Sequence, residues 1–281
     1  AKTRKEHAKM DGIVIDIDPV AFQIGSLEIR WYGIAIAAAV ISAMLIAAHE
    51  GKKKGILSQD IYSLAIWVVL GGIVGARLFH VLDNFSYYAS NPIQMFQFQG
   101  LAIWGAVAGG GIAAIIFARM KHIPMLRLAD TLVPALLVGQ IIGRIGCIIN
   151  GDAYGGVTGL PWGFIYTHPD AIIPNSLSGV PTHPYPVYEM LWNGAVLLVI
   201  LGLRSRFKID GMLFLSYLSL YAVGRLILTF VRQESELFWN LQQAQILAII
   251  AFTASIGMFL FLRYSSRKGD QGIILAGRRT A

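Results

Sequence analysis

The 281-residue chain has a single cysteine, Cys147, which excludes an intramolecular disulfide and any metal site built from several thiolates. Charge is also scarce. Only 14% of the residues are Asp, Glu, Lys or Arg, against about a quarter in ordinary soluble domains. A chain this long with so little charge excludes a soluble globular fold. Tandem repeats and low-complexity tracts are missing. Two stretches, 83–100 and 151–186, contain no Lys or Arg at all.

What fills the chain is apolar: 56% of residues are hydrophobic, gathered in runs near the roughly 20 residues that cross a bilayer. Seven such runs are read at about 33–49, 61–82, 101–118, 129–149, 187–203, 211–230 and 243–262. The expectation is an all-α, polytopic integral membrane protein with about seven transmembrane helices. It comprises a segment 1–17 outside the membrane, one membrane domain over 18–263 with a long loop 151–186, and a basic tail 264–281.

The net charge of +7 would suggest a nucleic-acid surface in a soluble protein. Its distribution argues against a nucleic-acid partner. Lys and Arg cluster in "GKKKG" (51–55), "ARMKHIPMLR" (118–127), "RSRFK" (204–208) and the tail 263–279, and seven spans put all four clusters on one side. By the positive-inside rule that side is cytoplasmic, the two basic-free loops face out, and the C-terminus is inside with the N-terminus outside. The basic "AKTRKEHAK" at the start runs against the rule and is set aside as sequence preceding Met10. Arg30 and Tyr32 lead into the first span with no cleavage-like site behind, so it does not read as a cleavable signal.

Charges are costly in hydrocarbon, from about 2.5 kcal/mol upward at the bilayer centre, so the few that occur there are informative. They are Arg77, His80, Arg144, Glu189 and Arg225, each toward the outer end of its run. Arg225 and Arg232, seven apart, share a helical face, as do Gln140 and Arg144. Gly139, Gly143 and Gly146, and the GxxxG pair Gly105 and Gly109, read first as helix packing. Arg77 reads equally well as an interface anchor. For Arg144 and Arg225 the bland alternative is a structural pair with Glu189. The sharper reading is a site for a phosphate, because guanidinium forks match phosphate oxygens bidentately.

The segment "GRIGCIINGDAYG" (143–155) resembles the signature G-R-x-G-N-F-x-N-x-E-x-x-G of the prolipoprotein diacylglyceryl transferase family. The likeness extends to "DPVAFQIGSLEIRWYGIAI" (18–36), "GARLFHVLDNFSYYASNP" (75–92), "GLAIWGAVAGG" (100–110), "THPYPVYE" (182–189) and "GRLILTFVRQ" (224–233). The resemblance implies transfer of the sn-1,2-diacylglyceryl group of phosphatidylglycerol to the lipobox cysteine thiol of a bacterial prolipoprotein, with release of glycerol phosphate. It implies the outer leaflet of the bacterial cytoplasmic membrane, with membrane lipids as surroundings and neither cofactor nor metal. By matching position, Arg144 and Arg225 carry the family's essential arginines. Tyr32, Asn150, Gly155, Arg232 and Glu189 match further motif positions and are expected to bind substrate. The chain departs from the pattern at four places: Trp104 for a histidine, Cys147 for the Asn of G-R-x-G-N, Asp152 for Glu, and Thr229 for the Glu between the span-6 arginines.

On this reading Arg144 and Arg225 hold the phosphate, helped by Asn150 and by backbone N–H groups of the Gly-rich turn, while Asp152 either takes the acceptor thiol's proton or serves as a capping or arginine-pairing carboxylate. Thr229 in place of Glu is expected to remove one internal partner of Arg225 and leave more of its positive charge for the ligand. Cys147 reads as a buried small hydrophobe, and His168 and His183 as loop residues with no third metal ligand near them. The aromatic loop 151–186 is expected to form a cap at headgroup level. The alternative class is a transporter or channel for an anionic solute, which would place such arginines near the midplane within inverted repeats.

Overall fold

The computed structural model describes residues 12–96, 102–232, 236–238 and 241–279, so the basic segment 1–9 lies outside the described residues. Among the described residues seven helices are long and apolar enough to cross a membrane. They are α1 (Trp31–Lys53), α2 (Ser58–Asp83), α4 (Ile103–Met120), α5 (Met125–Asn150), α6 (Tyr185–Leu203), α7 (Met212–Thr229) and the Gln243–Ser266 part of α8 (Gln243–Arg279). A short helix α3 (Phe85–Ser90) and a 3₁₀ turn (Pro92–Phe96) follow α2. Large apolar side chains such as Leu45, Leu70, Leu198 and Phe261 are exposed along these helices, a surface that suits lipid rather than water.

Local chemistry sets the ends. Lys52 and Lys53 close α1 where carbonyls are unpaired and the helix dipole is negative. Pro134 lies inside α5, which membrane helices tolerate when neighbours meet the freed backbone groups. At the end of α5, Gly151 takes the left-handed conformation (φ +74°) and its N–H returns to the Cys147 carbonyl at 3.0 Å.

The chain divides into two compact units, Met44–Leu132 and Ala1–Ala43 with Val133–Ala281. In the first, α2 and α4 meet glycine on glycine: a Cβ on Gly75 would stand 2.8 Å from Gly109 Cα, and one on Gly109 2.8 Å from Gly75 Cα. The GxxxG pair therefore packs helices, as small-residue pairs in membranes commonly do. Arg77 donates from Nε to the Met95 carbonyl at 2.9 Å and from Nη2 to the Gln94 carbonyl at 2.5 Å, and lies over the Tyr88 ring. Its charge is thus spent on the turn that follows α2.

In the second unit Val133, Leu137, Val196, Ile200, Leu213 and Tyr217 form a buried core of α5, α6 and α7. The Ser219–Ser255 hydroxyl pair at 2.8 Å joins α7 to α8. The glycines of α5 also pack: a Cβ on Gly146 would meet Ala35 Cβ at 2.9 Å and Tyr32 Cα at 3.2 Å on α1.

Short strands qualify the all-α expectation. β2 (Val20–Ile24) and β3 (Leu27–Arg30) form a hairpin leading into α1, and β5 (Glu236–Phe238) pairs with β6 (Leu241–Gln242). β1 (Ile13–Ile15) runs parallel to β4 (Phe164–Tyr166), so the residues just before the hairpin are bound into the long loop. That loop is a folded cap. Thr182 and Phe164 exchange backbone hydrogen bonds at 2.9 and 2.8 Å, and Phe164, Tyr166 and Ile173 build a core beneath it.

Candidate functional site

Arg144, Glu189 and Arg225 come from three helices and meet at one carboxylate. Arg144 lies toward the end of α5, Glu189 on the first turns of α6 and Arg225 toward the end of α7, so antiparallel neighbours bring the three together. Arg144 Nη2 stands 2.5 Å from Glu189 Oε2, an ion pair whose angles fall outside hydrogen-bond geometry. Arg225 Nη1 stands 3.5 Å from Glu189 Oε1. The structural pairing with Glu189, read as the alternative for both arginines, is present in the structure.

Gly224, the residue before Arg225, makes this approach possible. The Trp192 indole of α6 occupies the place a Cβ on Gly224 would take, and its Nε1 donates to the Leu220 carbonyl of α7 at 3.1 Å. Any side chain there would push α7 off α6 and part Arg225 from Glu189.

Arg225 has other internal partners: besides Glu189, its Nη1 donates to the Tyr185 hydroxyl at 2.5 Å. The Thr229 hydroxyl turns back to the Arg225 carbonyl one helical turn before it, an ordinary habit of threonine in helices. Arg232, past the end of α7, lies over the Tyr185 ring, 5.1 Å from its centroid.

On the other side of Arg144, Nη1 donates to Cys147 Sγ at 3.5 Å. Cys147 packs with Ala153 and Tyr185, as expected of a buried hydrophobe, but its thiol also faces the Asp152 carboxylate. Tyr32, half-exposed on the first turn of α1, has Cys147, Asp152 and Arg144 as its charged and polar neighbours. Tyr166 of β4 closes the cluster from the cap. Burial, then the nearby Asp152 and Cys147, push its phenol above the usual tyrosine range.

Asn150 and Asp152 each bury a carboxamide or carboxylate oxygen (Oδ1) that has no hydrogen-bond partner among the described residues. Orphaned buried acceptors are rare and call for a donor from elsewhere. The turn glycines behave differently from the expectation. The Gly155 N–H goes to the His183 carbonyl at 3.0 Å and the Gly156 N–H to the Val231 carbonyl at 2.9 Å, so neither amide is left for a phosphate. Gly155 serves close approach instead: a Cβ there would stand 2.7 Å from His183 Cβ and 2.9 Å from the Val231 carbonyl.

Other residues fall outside the cluster or have plain structural roles. Gln140 donates to the Tyr217 hydroxyl at 2.9 Å. His183 and Trp162 both bond the Tyr188 hydroxyl, at 3.3 and 2.9 Å, ordering the cap. Trp104 is exposed on α4. His168 does have possible metal-ligating neighbours, contrary to expectation: Asp18, His168 and Asp170 bring ligand atoms within 4.8 Å of one another. That group is at the surface, where Asp18 Oδ1 accepts the Val20 N–H and His168 Nδ1 accepts the Asp170 N–H.

The family model for prolipoprotein diacylglyceryl transferase matches residues 19–261. The chain belongs to the prolipoprotein diacylglyceryl transferase family. The phosphatidylglycerol–prolipoprotein diacylglyceryl transferase of Clostridioides difficile is 36% identical over 259 residues, covering 92% of this chain and 99% of the relative. The enzyme of that name from Dehalococcoides mccartyi (strain BAV1) is 36% identical over 258 residues, covering 92% and 98%. The one from Lactiplantibacillus plantarum is 32% identical over 261 residues, covering 91% and 93%.

Within the family pattern, two of this chain's departures sit in the cluster itself. Cys147 places a thiol between Arg144 and Asp152, and Asp152 is one methylene shorter than the Glu of the motif. Sequence reading counts Tyr185, of "THPYPVYE", only among the aromatics of the headgroup-level loop. No residue pattern signals its contact with Arg225, since that contact depends on where α6 meets α7.

Proposed function

We propose that this chain transfers the sn-1,2-diacylglyceryl group of phosphatidylglycerol to the lipobox cysteine thiol of a bacterial prolipoprotein and releases glycerol phosphate. The observation that carries the reading is the meeting of Arg144 and Arg225 on Glu189, beside Cys147 and Asp152. Arg144, Arg225 and Arg232 gather guanidiniums around this cluster, and guanidinium forks suit the phosphate of an anionic headgroup.

In the reaction a carbon–sulfur bond forms at the terminal glyceryl carbon as the carbon–oxygen bond to phosphate breaks. The leaving phosphate gains charge, so the fixed guanidiniums bind the transition state more tightly than the ground state. Donors of this kind contribute about 2.7–4 kcal/mol each. A phosphate monoester leaves without protonation, so the site needs no strong acid. The acceptor thiol, with an ordinary pKa near 8.5, must lose its proton. Asp152, with a buried unpartnered oxygen, takes it, and the Asn150 oxygen accepts a substrate hydroxyl. Tyr32 stands beside the same cluster, Arg232 supports the phosphate, and Gly155 holds the cap against the segment that follows α7.

The protein is a multi-pass protein of the bacterial cytoplasmic membrane. We place its N-terminus outside, its C-terminus in the cytoplasm and its site toward the outer leaflet, on the strength of the one-sided basic clusters. In a Cys147→Ala background on intact cells, an impermeant maleimide is expected to label Ser176→Cys and to spare Lys208→Cys; the reverse pattern inverts the orientation.

The test of activity is a defined mixture of purified protein, phosphatidylglycerol labelled in its diacylglyceryl part and a lipobox peptide. Label is expected on the peptide only when its cysteine is free. Absence of transfer by folded protein would overturn the reading.

A further inference from the structure

Tyr185 is buried completely, yet it is the side chain on which two of the site's cations rest. It stands at the first position of α6, where Pro184 and Pro186 fix the backbone and its own N–H bonds the His183 carbonyl at 2.8 Å. Its hydroxyl accepts from Arg225 Nη1 at 2.5 Å, nearer than Glu189 Oε1 at 3.5 Å. Its ring carries the Arg232 guanidinium, and its edge packs with Cys147 and Ala153.

With no exposed surface, Tyr185 does not itself reach a substrate. Its contacts with the two arginines are a different matter. Glu189 supplies Arg225 with charge but, at 3.5 Å and shared with Arg144, fixes its direction weakly. The short bond to a rigid phenol anchored between two prolines fixes it strongly. A guanidinium held in place before the leaving group gains charge costs no reorganisation when it does so.

We infer that Tyr185 is a positioning residue for the transfer, aiming Arg225 at the leaving-group phosphate and giving Arg232 its platform. The inference rests on the proposed diacylglyceryl transfer.

The experiment compares the full-length wild type with Tyr185→Phe in the labelled transfer assay, varying phosphatidylglycerol, with thermal unfolding measured on the same samples. Phenylalanine keeps the ring and the packing and removes the hydroxyl. A hydrogen bond to a charged group contributes about 1.5–3 kcal/mol, so kcat is expected to fall about 10- to 100-fold. The KM for phosphatidylglycerol should change less than about threefold and the unfolding midpoint should hold, because the lost bond acts mainly in the transition state. A kcat within about threefold of wild type, or a fall matched by loss of folded protein, would overturn the inference. Wild-type protein that transfers nothing would instead overturn the proposed function.

Discussion

Arg144 on α5 reaches Glu189 on α6 at 2.5 Å, and the same carboxylate faces Arg225 on α7. A carboxylate shared in this way draws together two cations that would otherwise repel each other. Its side chain is only 5% exposed, so the pairing is screened little by water.

Glu189→Gln keeps the shape and removes the charge. Breaking a buried ion pair by removing one partner costs about 3–5 kcal/mol, because the other charge is left uncompensated. We expect a markedly lower unfolding midpoint in detergent and a loss of transfer. Added phosphatidylglycerol should restore part of the stability, since its phosphate replaces the missing negative charge. Wild-type stability in Glu189→Gln would show that the arginines need no such partner.

Asp152→Asn tests the proton acceptor. General-base catalysis contributes about 10²–10⁴-fold, so kcat should fall within that range with little change in the KM for phosphatidylglycerol. Raising the pH toward the ordinary thiol pKa near 8.5 should recover part of the rate, because more acceptor then arrives already as thiolate. Unchanged turnover across the pH range would remove Asp152 from the base role.

Gly155→Ala addresses the cap. The added methyl would press on His183 Cβ and the Val231 carbonyl, one of them backbone that cannot swing aside. Overpacking of this kind costs about 1–3 kcal/mol. The expected result is faster proteolysis between 155 and 183 and reduced activity. A variant as resistant as wild type would mean that the cap and the segment after α7 are not clamped at this point.

The seven helices were legible because hydrocarbon selects apolar runs of fixed length, a signal that needs no knowledge of packing. Their ends were less so: the run read as 129–149 is a helix from Met125 to Asn150, because helix continues into polar residues once its backbone is paired. Arg144 and Arg225 stood out because charge is expensive where they lie. What the sequence could not show depends on contacts between distant segments. Ile13–Ile15 pairs with Phe164–Tyr166 across about half the chain, and nothing in either stretch announces the other. Arg77 read equally well as an interface anchor or a site residue, and its two carbonyl acceptors show a structural role. Tyr185 looked like one more aromatic of a headgroup belt, and only the convergence of α6 and α7 makes it the acceptor of Arg225.

The account stands most directly on Arg144 and Arg225. The measurement is the transfer rate from labelled phosphatidylglycerol to a lipobox peptide for Arg144→Ala and Arg225→Ala, each checked for folding by thermal unfolding. If both guanidiniums stabilise the departing phosphate, each variant loses about 10²–10³-fold in kcat while remaining folded. A folded Arg144→Ala or Arg225→Ala that transfers diacylglyceryl at the wild-type rate would contradict it.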